Sequence, residues 1–320
     1  MSKMSTDLVR HALNGQTMGT RWTALFYMPP GFDATPIPVT LQNVVDQVDQ
    51  QMSTWKQDSD LMQLNRLPVG GVMQVPQQLR DVLALGLSIG HASHGAFDIG
   101  MGDAVVAWGF GPCQAKAEDI RKAMKVDRFH AYEALEIDGL SVRKRHPLVL
   151  DLNGIAKGYA VDCLAEALMG LGIGAGLVGI DGEMRAIGSR PDGSGWSVAI
   201  ESPDPAVRTA HSVVVLQDAA VATSGDYRHQ VEVGGRILSH TMDPKLGAPL
   251  RSSPASVTLV AQTCAQADAW ATAFMVLGVD EGIQVAQREG LSALYLLRQP
   301  SGEVTSVGCG PLFRDVHESR

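Results

Sequence analysis

The feature that most limits what this 320-residue chain can fold into is the order of its apolar patterns. Apolar residues fall at helical spacing over 41–52, at positions 41, 44, 45, 48 and 52, and again over 82–89. A charged stretch at 115–125 reads as a solvated helix. Leu148, Val149 and Leu150 then form a short strand-like run, Asp151-Leu-Asn-Gly154 a turn, and Ile155, Tyr159, Ala160, Cys163, Leu164, Ala167 and Leu168 a third helix. Beyond that point short strand runs take over, at 177–180, 196–200, 213–216, 256–261 and 231–238, the last folded about a Gly234-Gly235 turn. A helix over 265–277 opens with Thr263 and Gln266 in capping-box spacing. A last strand is expected at 293–297, and a frayed tail after Pro311. Helices and strands come in blocks, so the predicted class is mixed, strand-rich α+β and not a doubly wound sheet.

Composition narrows the function. The net charge of −8 gives no basic face for duplex nucleic acid, so no nucleic-acid partner is expected. Hydrophobic residues at 45% and charged residues at 19% place the chain among ordered globular proteins. The four cysteines, Cys113, Cys163, Cys264 and Cys309, form no C-x-x-C pair and no disulfide framework. Residues 167–180 are uncharged over 14 positions, short of the ~18 that cross a bilayer, so no transmembrane segment is expected. No apolar leader and no lipoprotein cysteine stand at the start. The chain as it stands reads as cytoplasmic, or periplasmic if a leader has been removed.

Some motif matches lack their structural context. Gly174-Ala-Gly176-Leu-Val-Gly179 fits G-x-G-x-x-G, but a helix precedes it and a strand follows, the reverse of a dinucleotide fold. His91 and His94 have a metal-compatible spacing that packing also explains. There is no G-K-[ST], G-x-S-x-G or H-E-x-x-H.

Other segments can carry chemistry. Lys157 falls in the first turn of a helix, where the backbone already presents positive partial charge; it fits a docked anion such as phosphate, or a solvated lysine. Asp268 and Thr272 share one helical face, a hard-oxygen pair that suits Mg²⁺, although on spacing alone helix-start charge and back-bonding are the better explanation. His240 leaves a strand for the turn Asp243-Pro-Lys-Leu-Gly247, where an imidazole can take a proton or cap the turn. Thr223-Ser-Gly-Asp226 is a small polar turn open to phosphate.

Taken in order, these segments resemble the ApbE family of flavin transferases. The matching pieces are Met18-Gly-Thr20, Met52-Ser-Thr-Trp55, Asp58-Ser-Asp60, Leu64-Asn65, Phe97-Asp-Ile99, Trp108-Gly-Phe110, residues 151–162, Ala222-Thr-Ser-Gly-Asp-Tyr227, residues 239–247 and Ala267-Asp-Ala-Trp-Ala-Thr272. The resemblance implies two intimately packed α+β subdomains in a single domain over 17–315, after a tail at 1–16. It implies Mg²⁺-dependent transfer of FMN from FAD to a Thr or Ser hydroxyl of an acceptor flavoprotein subunit, with release of AMP. By the same resemblance Asp268, Thr272 and the Gly154 carbonyl hold the metal, and His240 deprotonates the acceptor. Met18, Trp55, Ala96, Phe97, Asp98, Asp151, Lys157 and Met242 contact FAD.

The chain departs from the common pattern at Ala271, where many members carry an acid. It also departs at Trp55 in place of Tyr, at Asp181-Gly182 in place of two glycines, and at Thr241-Met242 in place of aliphatics. Two alternatives use the same residues: an FAD pyrophosphatase giving FMN and AMP, or a non-catalytic flavin-binding maturation protein.

Overall fold

A computed structural model describes residues 8–204, 207–227, 230–233, 235–250 and 254–313. The chain opens with β1 (Val9–Thr17) and β2 (Thr20–Met28), an antiparallel hairpin. Residues 9–16, expected as part of a tail, are therefore built into the fold. Helices α1 (Ile37–Met52) and α2 (Asp60–Asn65) follow, then β3 (Val72–Gln74), α3 (Gln77–Ala92), α4 (Gly102–Ala107), α5 (Ala117–Ala123) and α6 (Ala131–Ala134). In α1 the buried residues Leu41, Val45, Val48 and Met52 lie on one face, as the spacing predicts.

A small sheet β3-β5-β4 is completed by β4 (Leu135–Asp138) and β5 (Ser141–Lys144). The helix α7 (Ala156–Gly170) leads to β6 (Gly176–Ile180), β7 (Glu183–Ile187), β8 (Trp196–Glu201), β9 (Ala210–Leu216) and β10 (Ala220–Gly225). Two short hairpins come next, β11 (Gln230–Val233) with β12 (Arg236–Ser239), and β13 (Met242–Asp243) with β14 (Ala248–Pro249). The chain closes with β15 (Ser256–Ala261), α8 (Cys264–Glu289), β16 (Ser292–Arg298) and β17 (Val304–Cys309). The strand expected last, β16, is thus followed by another. Phe313 is buried; residues 314–320 lie outside the described residues.

An eight-stranded sheet in the order β1-β2-β6-β7-β10-β15-β16-β17 organises the molecule, each neighbouring pair antiparallel. On one face α7 packs against β6 and β7, and α8 against β10 and β15, with α7 also touching α1 and α8. On the other face the β8–β9 ribbon lays Trp196, Val198, Ile200, Val214 and Leu216 against Ala186, Val221, Val260, Leu294 and Leu296. Strands β15 and β16 are buried on both faces, which explains why they read as near-continuous apolar runs.

The run at 148–150 is not a strand. Its backbone makes only an isolated parallel bridge, Val149 with Met101, the Gly102 N–H donating to the Val149 carbonyl at 2.9 Å, while Asn65 donates from Nδ2 to the Leu150 carbonyl at 3.0 Å and accepts from the Leu150 N–H at 2.7 Å. Helix α8 runs beyond the expected end at Leu277. Gly278 breaks it with φ 72° and ψ −170°, and helix resumes to Glu289 before Gly290 ends it at φ 68°.

Candidate active site

The starts of α7 and α8 meet beneath a cleft of about 1080 Å³. The first turn of α7 has no side-chain cap of its own, since Ile155 stands at the N-cap. Asp268 of α8 serves instead, its Oδ2 accepting the Gly158 N–H at 3.1 Å. That approach requires glycine: a Cβ at Gly158 would lie 2.4 Å from the Cys264 carbonyl oxygen. Asp268 is 4% exposed, and burial, followed by the nearby Glu183 carboxylate, pushes its carboxyl up to about 7.

Lys157 points into the same place but is not a free solvated lysine. Its Nζ lies 2.7 Å from Glu183 Oε1 and 3.7 Å from Asp181 Oδ2. Burial opposes its charge, yet Glu183, Asp268 and Asp181 outweigh that and raise its pKa. Glu183 is the residue that sequence reasoning missed. A lone acid between Gly182 and the apolar residues of β7 was the available signal, because a buried carboxylate needs a partner.

Asp151 sits at the end of the segment that Asn65 holds. Its carboxylate closes on Asn153, accepting the backbone N–H at 2.9 Å and Nδ2 at 3.1 Å, while burial pushes its pKa up to about 6. Across the cleft Asp98 accepts from Gly100 N–H at 2.7 Å and from Ala131 N–H at 3.2 Å, and pairs with His130 Nδ1 at 2.9 Å. Even so, burial holds Asp98 above the usual carboxylate range. Ala96 and Phe97 line the cleft beside it, as do Met18 from the β1–β2 turn and Trp55, whose ring is 62% exposed.

His240, in the link between β12 and β13, and Met242, on β13, reach the cleft. Met242 packs with Met101 and Ala104 and against Val105, Trp108 and Phe110. Trp108 Nε1 donates to the Gly247 carbonyl at 2.9 Å, bracing the far end of the β13–β14 hairpin.

The oxygen set at the base of the cleft suits a hard cation. Thr272 Oγ1 is 3.1 Å from Ser224 Oγ, and a Cβ on Gly154 would lie only 3.2 Å from Thr272 Oγ1, so the Gly154 backbone comes close to Thr272. One carboxylate and one hydroxyl, with the Gly154 backbone beside the hydroxyl, are hard-oxygen groups that could hold an ion such as Mg²⁺, which keeps waters and takes phosphate oxygens. Ala271 is fully buried and does not line the cleft.

Every residue that the sequence nominated for the site lines this one cleft: His240, Met18, Trp55, Ala96, Phe97, Asp98, Asp151, Lys157, Met242, Gly154, Asp268 and Thr272. Thr223 and Ser224 line it too, whereas Asp226 turns to Arg298, with both carboxylate oxygens engaged at 2.7 and 2.8 Å. His91 and His94 do not line it. His91 meets the Tyr132 ring edge-on and His94 Nε2 lies 3.3 Å from Arg288 Nη1.

The model of the ApbE family matches residues 18–295. The FAD:protein FMN transferase of Escherichia coli (strain K12) is 35% identical over 315 residues, covering 94% of this chain and 88% of that protein. The crystal structure of Pseudomonas stutzeri flavinyl transferase ApbE, in its apo form, superposes with a TM-score of 0.82 at 35% identity, covering 94% of this chain and 95% of that one. The flavin transferase ApbE from Vibrio cholerae gives a TM-score of 0.83 at 32% identity, covering 94% and 97%. The fold is that of a flavin transferase, and the chain belongs to the ApbE family. Among the described residues no helix is long and apolar enough to cross a membrane.

Proposed function

We propose that this chain is a Mg²⁺-dependent FAD:protein FMN transferase, working as one domain over 17–315 together with β1. The observation that carries the reading is the convergence of Lys157, Asp268, Thr272 and Gly154 at the floor of a cleft whose rim holds Trp55 and His240. Asp268, Thr272 and the Gly154 carbonyl would hold the metal, which when bound neutralises charge on the pyrophosphate oxygens. Lys157 binds the pyrophosphate as a fixed cation, pre-aimed by Glu183. Trp55, Met18, Ala96, Phe97, Asp98, Asp151 and Met242 bind the rest of FAD. His240 takes the proton from a Thr or Ser hydroxyl of the acceptor. The acceptor oxygen bonds to the FMN-side phosphorus, the bond to the AMP phosphate oxygen breaks, and AMP leaves with the electron pair.

The test incubates the chain with FAD and Mg²⁺, with and without a candidate acceptor peptide containing Thr or Ser, and follows AMP together with peptide mass. One FMN gained per AMP supports the transferase. AMP without labelled peptide turns the reading to an FAD pyrophosphatase, and no AMP turns it to a flavin-binding maturation protein. His240→Gln is expected to leave FAD affinity unchanged and slow peptide labelling by about 10²-fold or more; an unchanged labelling rate removes His240 as the base. Fractionating cells decides between cytoplasm and periplasm.

A further inference from the structure

Asp162, midway along α7, is 5% exposed and makes its contacts outside its own helix. Its Oδ1 accepts the Cys264 N–H at 2.8 Å and its Oδ2 accepts the Ala265 N–H at 2.9 Å. Those amides open α8, and the next, of Gln266, goes to the Thr263 hydroxyl at 3.3 Å. Most helices cap their own first turn; here a neighbouring helix supplies two of the acceptors. Arg185 Nη1 stands 2.8 Å from Asp162 Oδ1 and fixes the carboxylate in that pose.

The seam is closed in both directions. An acid of α7 holds the start of α8, while an acid of α8, Asp268, holds the Gly158 N–H in the first turn of α7. Strand β7 ties both ends, Glu183 to Lys157 and Arg185 to Asp162. Asp268 and Thr272 lie in the first turns of the helix that Asp162 anchors, and Lys157 lies on the helix that carries Asp162. The distance between the cation and the oxygen pair is thus set by this clamp.

We propose that Asp162 is a positioning residue that sets the site's hold on a divalent cation by fixing the start of α8 against α7. The inference rests on the flavin-transfer reading above. Asp162→Asn keeps the shape but must turn Nδ2 toward one of two N–H donors, so one bond is lost and a donor is left unsatisfied.

The test uses the full chain and titrates Mg²⁺ in the release of AMP from FAD, alongside FAD binding in EDTA by flavin fluorescence. In Asp162→Asn the half-saturating Mg²⁺ is expected to rise about tenfold or more, while metal-free FAD affinity holds. Arg185→Met, which keeps both amide bonds, shifts it the same way and less. Leu79→Ala, a core truncation on α3, lowers the melting temperature without moving the Mg²⁺ requirement. A wild-type Mg²⁺ requirement in Asp162→Asn overturns the proposal, and if that variant does not fold, an unmoved requirement in Arg185→Met does so. If the wild-type chain releases no AMP at any Mg²⁺ concentration, the flavin-transfer reading fails. The clamp is then judged by hydrogen exchange: amides of Cys264 and Ala265 as protected in Asp162→Asn as in wild type would overturn it.

Discussion

Lys157, proposed above to bind the pyrophosphate, is held in place by Glu183, a buried neighbour 2.7 Å away. Glu183 keeps only 4% of its side chain exposed, so removing its cation leaves a buried carboxylate unpaired. Lys157→Met is expected to lose about 2 kcal/mol of stability by urea unfolding, less than for a fully buried pair because the lysine is partly solvated. Adding Glu183→Gln restores most of that stability but not AMP release, which separates the structural role of the pair from the binding role of the lysine. Asp151 gives a pH-dependent case. Its pKa rises from 3.8 to about 6 on folding, so the native state holds that proton more tightly than the unfolded chain. The stability this contributes is complete below pH 3.8 and lost as pH rises through about 6. Asp151→Asn should therefore melt about 2–4 °C above wild type at pH 7.5, show no gain at pH 3.5, and bind FAD more weakly at pH 7.5. A melting temperature raised equally at both pH values would refute the burial argument.

At the scale of elements, the β1–β2 turn is where local backbone preference and the site disagree. Met18 and Gly19 form a two-residue hairpin loop with φ of 46° and 72°, the region that Asn-Gly fills most easily. A methionine there is strained by about 1 kcal/mol, and it lines the cleft. Met18→Asn is expected to raise the melting temperature by about 2–4 °C and weaken FAD binding, measured by scanning calorimetry and flavin fluorescence. This turn was not legible as a hairpin in the sequence. In β2 the inward residues Trp22, Ala24, Phe26 and Met28 alternate properly, but Leu25 and Tyr27 face the β8–β9 ribbon and blur the pattern. Tyr27 and Trp196 meet there at 6.0 Å. Helix α1 was legible because it buries one face, and the start of α8 because Thr263 caps it. The run at 148–150 misled because no periodicity reports that its pairing stops at one bridge to Met101, with the Asn65 side chain taking both backbone groups of Leu150. Of the candidate site, the sequence order of short motifs nominated the cleft-lining residues, whereas the partners of Glu183 and Asp162, Lys157 and the first amides of α8, lie far away in sequence and no local pattern names them.

At the scale of the whole molecule, one cleft draws on residues from Met18 to Thr272, on both the helical and the strand-rich halves. A ligand that fills it binds only the assembled fold. FAD with Mg²⁺ at 100 times its dissociation constant is expected to add about 2.7 kcal/mol, read as a rise of roughly 4 °C in the melting temperature of a chain this long. EDTA should remove most of that rise, and a shift indifferent to EDTA counts against metal-assisted binding. The long reach of the sheet has a further consequence, in time. Trp22 of the first hairpin pairs with Ile180, and nothing nearer in the chain can take that edge of β2. At synthesis rates of about 5–20 residues per second, the hairpin emerges roughly 10–30 s before its partner strand exists. During that interval its apolar flank is open on the nascent chain, a natural place for a chaperone to bind.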